Sequence, residues 1–273
     1  MRMIDGHVHL ERGPYTREWM TRFVEQAQVM GITRLYMLEH THRFEEFTEV
    51  YESIFKDEIV AKEQTEWFYK KPKLKIEEYI VFAEQMKRIN WPIEVKFGLE
   101  VCYFPEKEEL LRQKLDEYPW DFLIGSVHWI DGWGFDNAKT KWSWERKNVD
   151  AIYQRYYEVM IQLVESKLFN SLGHPDSIKC FGYYPQNTLT GMYHQLAMAL
   201  RENNVKTEFS AGLHINYNHE ELGPNKELFQ ILLEHQVEFV VVSDAHRPED
   251  VGKYIKEGLE IINNYIENIC IQE

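Results

Sequence analysis

The sequence predicts an α/β protein built on seven parallel strands, and three observations predict it. Seven short β-like runs alternate with amphipathic helical stretches along the 273 residues, the pattern that parallel strands with helical crossovers require. Low-complexity segments, repeats and flexible linkers do not interrupt the alternation. Histidine, aspartate or glutamate closes or follows each β-like run, as expected where the carboxyl ends of parallel strands share one face. Two architectures satisfy this pattern: an open doubly wound sheet, and a barrel related to the eightfold type with about seven strands. The first strand is not followed by GxGxxG, which counts against the dinucleotide-binding version of the open sheet.

Strands are expected at 2–8, 33–39, 94–101, 121–127, 169–173, 205–210 and 238–243. Helices are expected near 15–30, 44–57, 75–90, 106–117, 148–167, 187–203, 225–236 and 248–268. In a strand, residues i and i+2 share a face, so His7 and His9 of "IDGHVH" point the same way, about 7 Å apart along the backbone. Thr16 is placed to cap the first helix, Trp19, Phe23, Ala27 and Met30 recur at helical spacing, and Gly31 follows as a stop. Segment 58–75 is charged and aromatic and reads as an insertion placed to cover a site. Segment 129–147 carries Trp129, Trp133, Trp142 and Trp144. It is too long for a minimal connection and reads as a lid or pocket wall.

Composition narrows the function. A hydrophobic fraction of 44% with 14% aromatics permits a sizeable core. The chain has no apolar run of the roughly 18 residues a membrane span needs, and no signal peptide is expected. Cys102, Cys180 and Cys270 are odd in number and far apart. They form neither a disulfide framework nor a CxxC zinc site, which fits a reducing cytoplasm. The net charge of −14, from 45 acidic and 31 basic residues, argues against nucleic-acid binding, which needs dense lysine and arginine. It is compatible with a small anionic substrate where bound divalent cations offset the local charge. Nothing in the sequence sets an oligomeric state.

The ligand-type residues sit where a shared face would collect them. Strand one ends at His7 and His9, strand two at Glu39-His40, strand three at Glu100, strand four at His128 and strand five at His174 and Asp176. Strand six carries Glu208 with His214 beyond it, and strand seven ends at Asp244 and His246. Eight of these are candidate metal ligands: His7, His9, His40, Glu100, His128, His174, Asp244 and His246. Taken singly, each has a plainer reading as a cap or a packing residue. The coincidence on every strand favours a metal centre. Among the other histidines, His194 and His235 read as structural helix residues and His219 as a loop residue. Imidazoles and carboxylates without a thiolate suit Zn²⁺, Mn²⁺ or Fe²⁺. Six histidines and two carboxylates exceed the needs of one ion, so two or three divalent ions are expected, with Glu100 able to bridge a pair. Adjacent ions can clamp the attacking and leaving oxygens of a phosphoryl displacement.

As a set, "DGHVH" at 5–9, "EH" at 39–40, "GLEV" at 98–101, "SVH" at 126–128, "GHPD" at 173–176 and "SDAHRPEDVG" at 243–252 resemble the polymerase and histidinol phosphatase (PHP) superfamily. Within it they look most like the monofunctional histidinol-phosphatases. The motifs span nearly the whole chain, so the resemblance implies one domain over 1–273 and a distorted (β/α)7 TIM-like barrel, the PHP fold. It implies a trinuclear centre at the strand C-termini. His7, His9, Glu100 and Asp244 would hold the first ion, Glu100, His128 and His174 the second, and His40 and His246 the third. It implies a phosphomonoesterase in which a metal-bound hydroxide attacks phosphorus in line, with Asp244, Glu100 and His246 as catalytic residues. The substrate implied is L-histidinol phosphate, in histidine biosynthesis.

Several positions depart from the family pattern. Tyr15 stands where the family places a further histidine for the third ion, and Glu11 is the nearby substitute. His214 and Lys179 stand near family arginine positions that hold the substrate phosphate, and lysine binds phosphate as a point charge rather than as a fork. Arg247 reads as a phosphate contact or as an ion pair with Glu249 or Asp250. Asp5 and Asp176 are expected behind ligand imidazoles. Glu208 is expected there too, or against the substrate's amino group. The tryptophans either stack on a planar substrate or pack. Other functions remain in play: a phosphatase for another small phosphoester, phosphotyrosine or a nucleotide, or a non-catalytic metal-binding module. An eight-stranded amidohydrolase ranks lower, because Glu100 stands where that class usually carries a carboxylated lysine or similar bridge.

Overall fold

The computed structural model describes residues 3–270. Arg2, where the first strand is expected to begin, and the side chain of Cys270 lie outside the described residues. In chain order the elements are β1 (Met3–His9), α1 (Arg17–Val29), β2 (Ile32–His40), α2 (Ala61–Phe68), α3 (Ile76–Lys87), β3 (Glu94–Cys102), α4 (Glu108–Asp116) and β4 (Phe122–Ser126). There follow β5 (Trp129–Ile130), β6 (Trp133–Gly134), α5 (Val149–Glu165), β7 (Ser171–Leu172), α6 (Thr190–Asn203), β8 (Lys206–Ser210), α7 (Gly212–Tyr217), α8 (Lys226–Glu234), β9 (Phe239–Val242) and α9 (Ile255–Cys270).

Seven strands form one parallel sheet in the order β1-β2-β3-β4-β7-β8-β9. The sheet curls until its edges meet: Val8 bridges Ala245 in parallel, and His9 N–H donates to the Ala245 carbonyl at 2.8 Å. The result is a nearly closed seven-stranded barrel, which decides between the two expected architectures. Helix α1 forms as expected, capped by Thr16, whose hydroxyl accepts from Trp19 N–H, and it buries Met20, Phe23, Val24 and Ala27. Gly31 takes φ +74° at the turn into β2, a conformation that favours glycine. Among the described residues, no helix is long and apolar enough to cross a membrane.

The structure departs from or adds to the expected elements in five places. The helix expected at 44–57 is a run of 3-10 turns over Glu45–Phe55. Segment 58–75 contributes α2, and the Trp-rich segment opens with the β5–β6 hairpin. The strand expected at 169–173 pairs only through Ser171 and Leu172. The final helix starts late, at Ile255, because Gly252 (φ +77°) and Tyr254 (φ +61°) turn the chain first.

Two features of β1 position the site. Asp5 pairs with Leu35 and Val8 with Met37, so β1 spends three steps where β2 spends two. This bulge resets the side-chain phase. Ile4 and Gly6 line the barrel interior near its lower mouth, and His7 and His9 still face inward above them. Asp5 is fully buried and serves the other side of the wall. Its carboxylate accepts from Ser243 N–H (2.9 Å), Ser243 Oγ (2.5 Å) and Gly252 N–H (2.9 Å). Burial pushes its carboxyl up, and the bonds from Ser243 and Gly252 pull against that. Asp5 thus ties the first strand to the loop that carries Asp244 and His246, and does not sit behind a ligand imidazole. Replacing Asp5 with Ala strands these buried donors, so urea unfolding is expected to show a loss of about 3 kcal/mol. A loss under about 1 kcal/mol would mean that the loop is held by something else.

Candidate metal centre

The upper mouth of the barrel is a cavity of about 410 Å³. Glu100, at the end of β3, stands at its centre. Its Oε2 lies 2.9 Å from His40 Nε2, 3.3 Å from His9 Nε2 and 3.4 Å from His7 Nε2. Its Oε1 lies 3.0 Å from both His128 Nε2 and His174 Nε2. Asp244 Oδ1 completes the other side, 3.7 Å from His7 Nε2 and 3.5 Å from the Nε2 atoms of His9 and His246. Three donor groups come close enough to hold an ion: His7, His9 and Glu100; His9, Asp244 and His246; Glu100, His128 and His174. The structure therefore brings all eight expected ligands to one site. The rings of His9, His40 and His246 lie nearly parallel in a cluster, with centroids 4.1 Å apart for His9 and His40, 4.5 Å for His9 and His246 and 5.8 Å for His40 and His246.

Carboxylates stand behind four of the imidazoles. Glu208 Oε1 accepts from His7 Nδ1 at 2.8 Å and its Oε2 from His174 N–H at 2.9 Å. Asp136 Oδ2 accepts from His128 Nδ1 at 2.6 Å. Glu11 accepts from His246 Nδ1 at 2.9 Å and faces His40 Nδ1 at 3.4 Å. A proton fixed on Nδ1 turns the Nε2 lone pair toward the cavity.

The donors fit divalent cations. His7 and His9 bring their Nε2 atoms to 2.9 Å of each other in the buried interior, and two lone pairs in such contact require a cation or a proton between them. The potentials agree. Burial opposes charge on His40 and His128, yet Glu100 with Glu11 lifts the first to about 10, and Asp136 with Glu100 lifts the second to about 10. Burial, His40 and His246 push His9 down to about 4. Burial would raise Glu100 and Asp244, but the surrounding histidines hold both below the usual carboxylate range.

The backbone pays for this convergence in strain. Asp244 has φ +55° and His174 φ +25°, the left-handed region that side chains rarely adopt. Gly212, at the start of α7, makes room for Asp244: a Cβ there would fall 2.0 Å from Asp244 Oδ2.

The other expected residues sit elsewhere. Tyr15 is away from the ligands and packs on Tyr79 and Phe82, with ring centroids at 5.6 and 5.3 Å. Asp176 meets no ligand imidazole. It accepts from Tyr157 Oη, Asn225 N–H and Lys179 Nζ. Lys179 is buried between Asp176 (2.8 Å), Glu221 (2.7 Å) and the Gly223 carbonyl, and it is not among the residues lining the cavity. Those partners use up its charge, which corrects its expected role as a phosphate ligand. His214 donates from Nδ1 to the His219 carbonyl at 2.7 Å and, with Arg247, lines a neighbouring cavity. Arg247 makes no ion pair with Glu249 or Asp250. Trp133 and Trp144 pack on each other and bond to Ser143 and the Phe135 carbonyl, whereas Trp129 lines the metal-site cavity with Trp67 of α2.

Sequence reading missed Asp136, Arg12, His42, Tyr51 and the buried thiols Cys102 and Cys180, all of which line this cavity. For Asp136 a signal exists. Asp131 and Gly132 both have positive φ, and an Asp-Gly pair is a hairpin turn signature. That turn folds Asp136 back onto His128.

The fold and its strand-end donors define the class: a parallel β/α barrel with a candidate multinuclear metal centre. Comparison with known proteins carries this further. The chain belongs to the PHP domain family, whose model matches residues 5–212. It is 27% identical over 209 residues to the probable histidinol-phosphatase of Deinococcus radiodurans, covering 72% of this chain and 76% of that one. It is 24% identical over 244 residues to the probable histidinol-phosphatase of Schizosaccharomyces pombe, covering 84% and 75%. The solved histidinol phosphate phosphatase of Lactococcus lactis, complexed with zinc, L-histidinol and phosphate, shares the fold at a TM-score of 0.72 and 18% identity, over 97% of this chain and 94% of that one.

Replacing Gly212 with Ala drives a methyl into Asp244. The variant is expected to stay folded by circular dichroism and to lose about 10-fold or more in affinity for Mn²⁺ or Zn²⁺, the scale of damage that follows disturbed ligand orientation. Unchanged metal affinity by calorimetry would show that Asp244 is not held by this contact.

Proposed function

We propose that this chain is a histidinol-phosphatase, a metal-dependent enzyme of histidine biosynthesis that hydrolyses L-histidinol phosphate to L-histidinol and phosphate. One observation carries the reading: both oxygens of Glu100 are shared among five imidazoles from four strand ends, in a chain whose relatives bear that name. His7, His9, Glu100 and Asp244 would hold one divalent ion, Glu100, His128 and His174 a second, and His40 and His246 a third with Glu11 behind them. Such ions activate water at neutral pH and offset charge on a phosphoryl group. Zinc is favoured by the imidazole-carboxylate donor set, with Mn²⁺ and Fe²⁺ as the other candidates.

The chain's own residues do the rest. Glu208, Asp136 and Glu11 hold protons on Nδ1 of the imidazoles they face and so fix the ring orientations. Tyr51, Trp67, Trp129 and Leu213 wall the cavity, exclude water and offer a flat apolar surface to the leaving alcohol. The cavity thiols are poor nucleophiles. Burial raises both Cys102 and Cys180, and a protonated thiol does not attack. Both are free, which supports a reducing, cytoplasmic setting. The displacement of Lys179 and His214 from the cavity favours a second reading, in which the same chemistry serves another small phosphoester.

Phosphate release from L-histidinol phosphate, with Mn²⁺ or Zn²⁺ supplied, tests the proposal. Asp244→Asn is expected to lower kcat by about 1,000-fold, or ~4 kcal/mol of barrier, with an unchanged circular dichroism spectrum. Chelation is expected to abolish turnover and added metal to restore it. Turnover of an aryl phosphate but not of histidinol phosphate would support the second reading, and full activity in Asp244→Asn would refute both. Trp67→Ala is expected to raise KM about 10-fold with little change in kcat, since an aromatic wall contributes on the order of 1 kcal/mol beyond its buried area. An unchanged KM would remove α2 from the substrate site.

A further inference from the structure

The cavity that collects the candidate ligands is lined by three carboxylates, Glu100, Asp136 and Asp244, and by a single lysine or arginine, Arg12. Against those carboxylates, a fixed cation at the cavity edge would add to the attraction that metal ions exert on a phosphorylated substrate. Neither Lys179 nor His214 supplies one. Arg12 lies on the connection between β1 and α1, next to Glu11. The Glu11 carboxylate is engaged by His246 and His40, so it does not neutralise its neighbour. Among the described residues, the Arg12 guanidinium makes no salt bridge within 4.0 Å.

Arg12 also lines a second cavity, together with His214, Asn216, Arg247, Asp250 and Lys253. Arg12 and Asn216 belong to both linings, so they mark where the two spaces adjoin. The second space is strongly polar. Its one carboxylate, Asp250, already pairs with Lys253 at 2.6 Å. Arg247, like Arg12, makes no ion pair among the described residues. A chain of net charge −14 thus gathers two unpaired guanidinium groups at one edge of its candidate active site. Like charges placed together repel, and a shared anion relieves that repulsion. Asn216 is held at the junction by its own Nδ2, which reaches the Asp244 carbonyl at 3.4 Å, and its side-chain oxygen remains an acceptor.

We propose that Arg12 is the phosphate clamp of this enzyme. Its guanidinium holds the non-bridging oxygens of the phosphomonoester at the junction of the two cavities, and Arg247 adds a second, outer positive charge that draws the phosphate end in. The inference rests on the phosphatase reading above and deepens it: the positive charge comes from the β1–α1 connection, since Lys179 on the α5–α6 side is buried among its own partners. A planar fork at position 12 grips phosphate through paired N–H bonds, and lysine there supplies charge without the fork.

The test uses the metal-loaded protein and two readouts. Inorganic phosphate binding by calorimetry is expected to weaken about 10-fold or more in Arg12→Ala. It should recover partly in Arg12→Lys and fall about 3-fold in Arg247→Ala. Arg34→Ala, at the opposite mouth of the barrel and paired with Glu94, removes the same charge and is expected to leave binding unchanged. In steady-state assays, Arg12→Ala is expected to raise KM and the phosphate inhibition constant together, with unchanged metal content. The two proposals separate cleanly. If the wild type turns over no phosphomonoester, the phosphatase reading fails, while phosphate affinity still reports on the clamp. If turnover is present but Arg12→Ala binds phosphate as the wild type does, or Arg34→Ala weakens binding equally, Arg12 is not the clamp.

Discussion

The structure is organised by the burial of one carboxylate. Glu100 is 2% exposed in the upper barrel, and an isolated buried carboxylate costs several kcal/mol or more unless it is paired and hydrogen-bonded. Here five imidazoles from four other strands surround it. The four strands are spread along the chain from Met3 to Leu172, so Glu100 is satisfied only when β1, β2, β4 and β7 have all reached their places. The charge that would serve chemistry therefore also specifies the closed barrel. Removing it would leave five imidazoles facing one another across the barrel mouth.

Closure itself is achieved by small local devices. The bulge in β1 turns His7 and His9 inward above the packed lower half. Asp5, on the outer side of the same strand, ties down the loop after β9. Gly212 clears the space into which Asp244 swings with positive φ. Each device costs stability: unpaired backbone at the bulge, desolvation of Asp5, strain at Asp244 and His174. The costs fall where the proposed ligands are set, as expected where function overrides local preference.

Much of this was legible in the sequence because the two periodicities are simple. Residues i and i+2 share a strand face, so "HVH" declared its direction. Seven alternations of strand and helix required a parallel sheet, whose carboxyl ends had to meet. The eight convergent donors followed from that alone. What the sequence hid depends on contacts that no period encodes. Asp136 reaches His128 only because a two-residue turn doubles the chain back. Lys179 follows a strand-end histidine closely, as a phosphate ligand would, yet Asp176 and Glu221 capture it. Asp5 stands two residues from His7 and points through the wall, not behind the ring. Tyr15 marks the departure from the family pattern, but it joins an aromatic cluster with Tyr79 and Phe82, and Glu11 takes the place beside His40 and His246.

Chemistry and selectivity are carried by different parts of the molecule. The donors all sit on barrel strands or on the residues that directly end them, where the parallel sheet fixes their spacing. The apolar wall comes from outside the barrel: Trp67 from α2, Trp129 from the short hairpin, and Leu213 from α7. Arg12 belongs to the connection after β1. A change in any of these connections alters what fits against the donors without moving the donors themselves, because no wall residue is needed to satisfy Glu100. This explains how the chain can bring eight candidate donors together at 27% identity to a relative while its expected phosphate-binding lysine is buried elsewhere. The donor set is constrained jointly by the burial of a charge, whereas a residue on a connection such as Arg12 is under no such constraint.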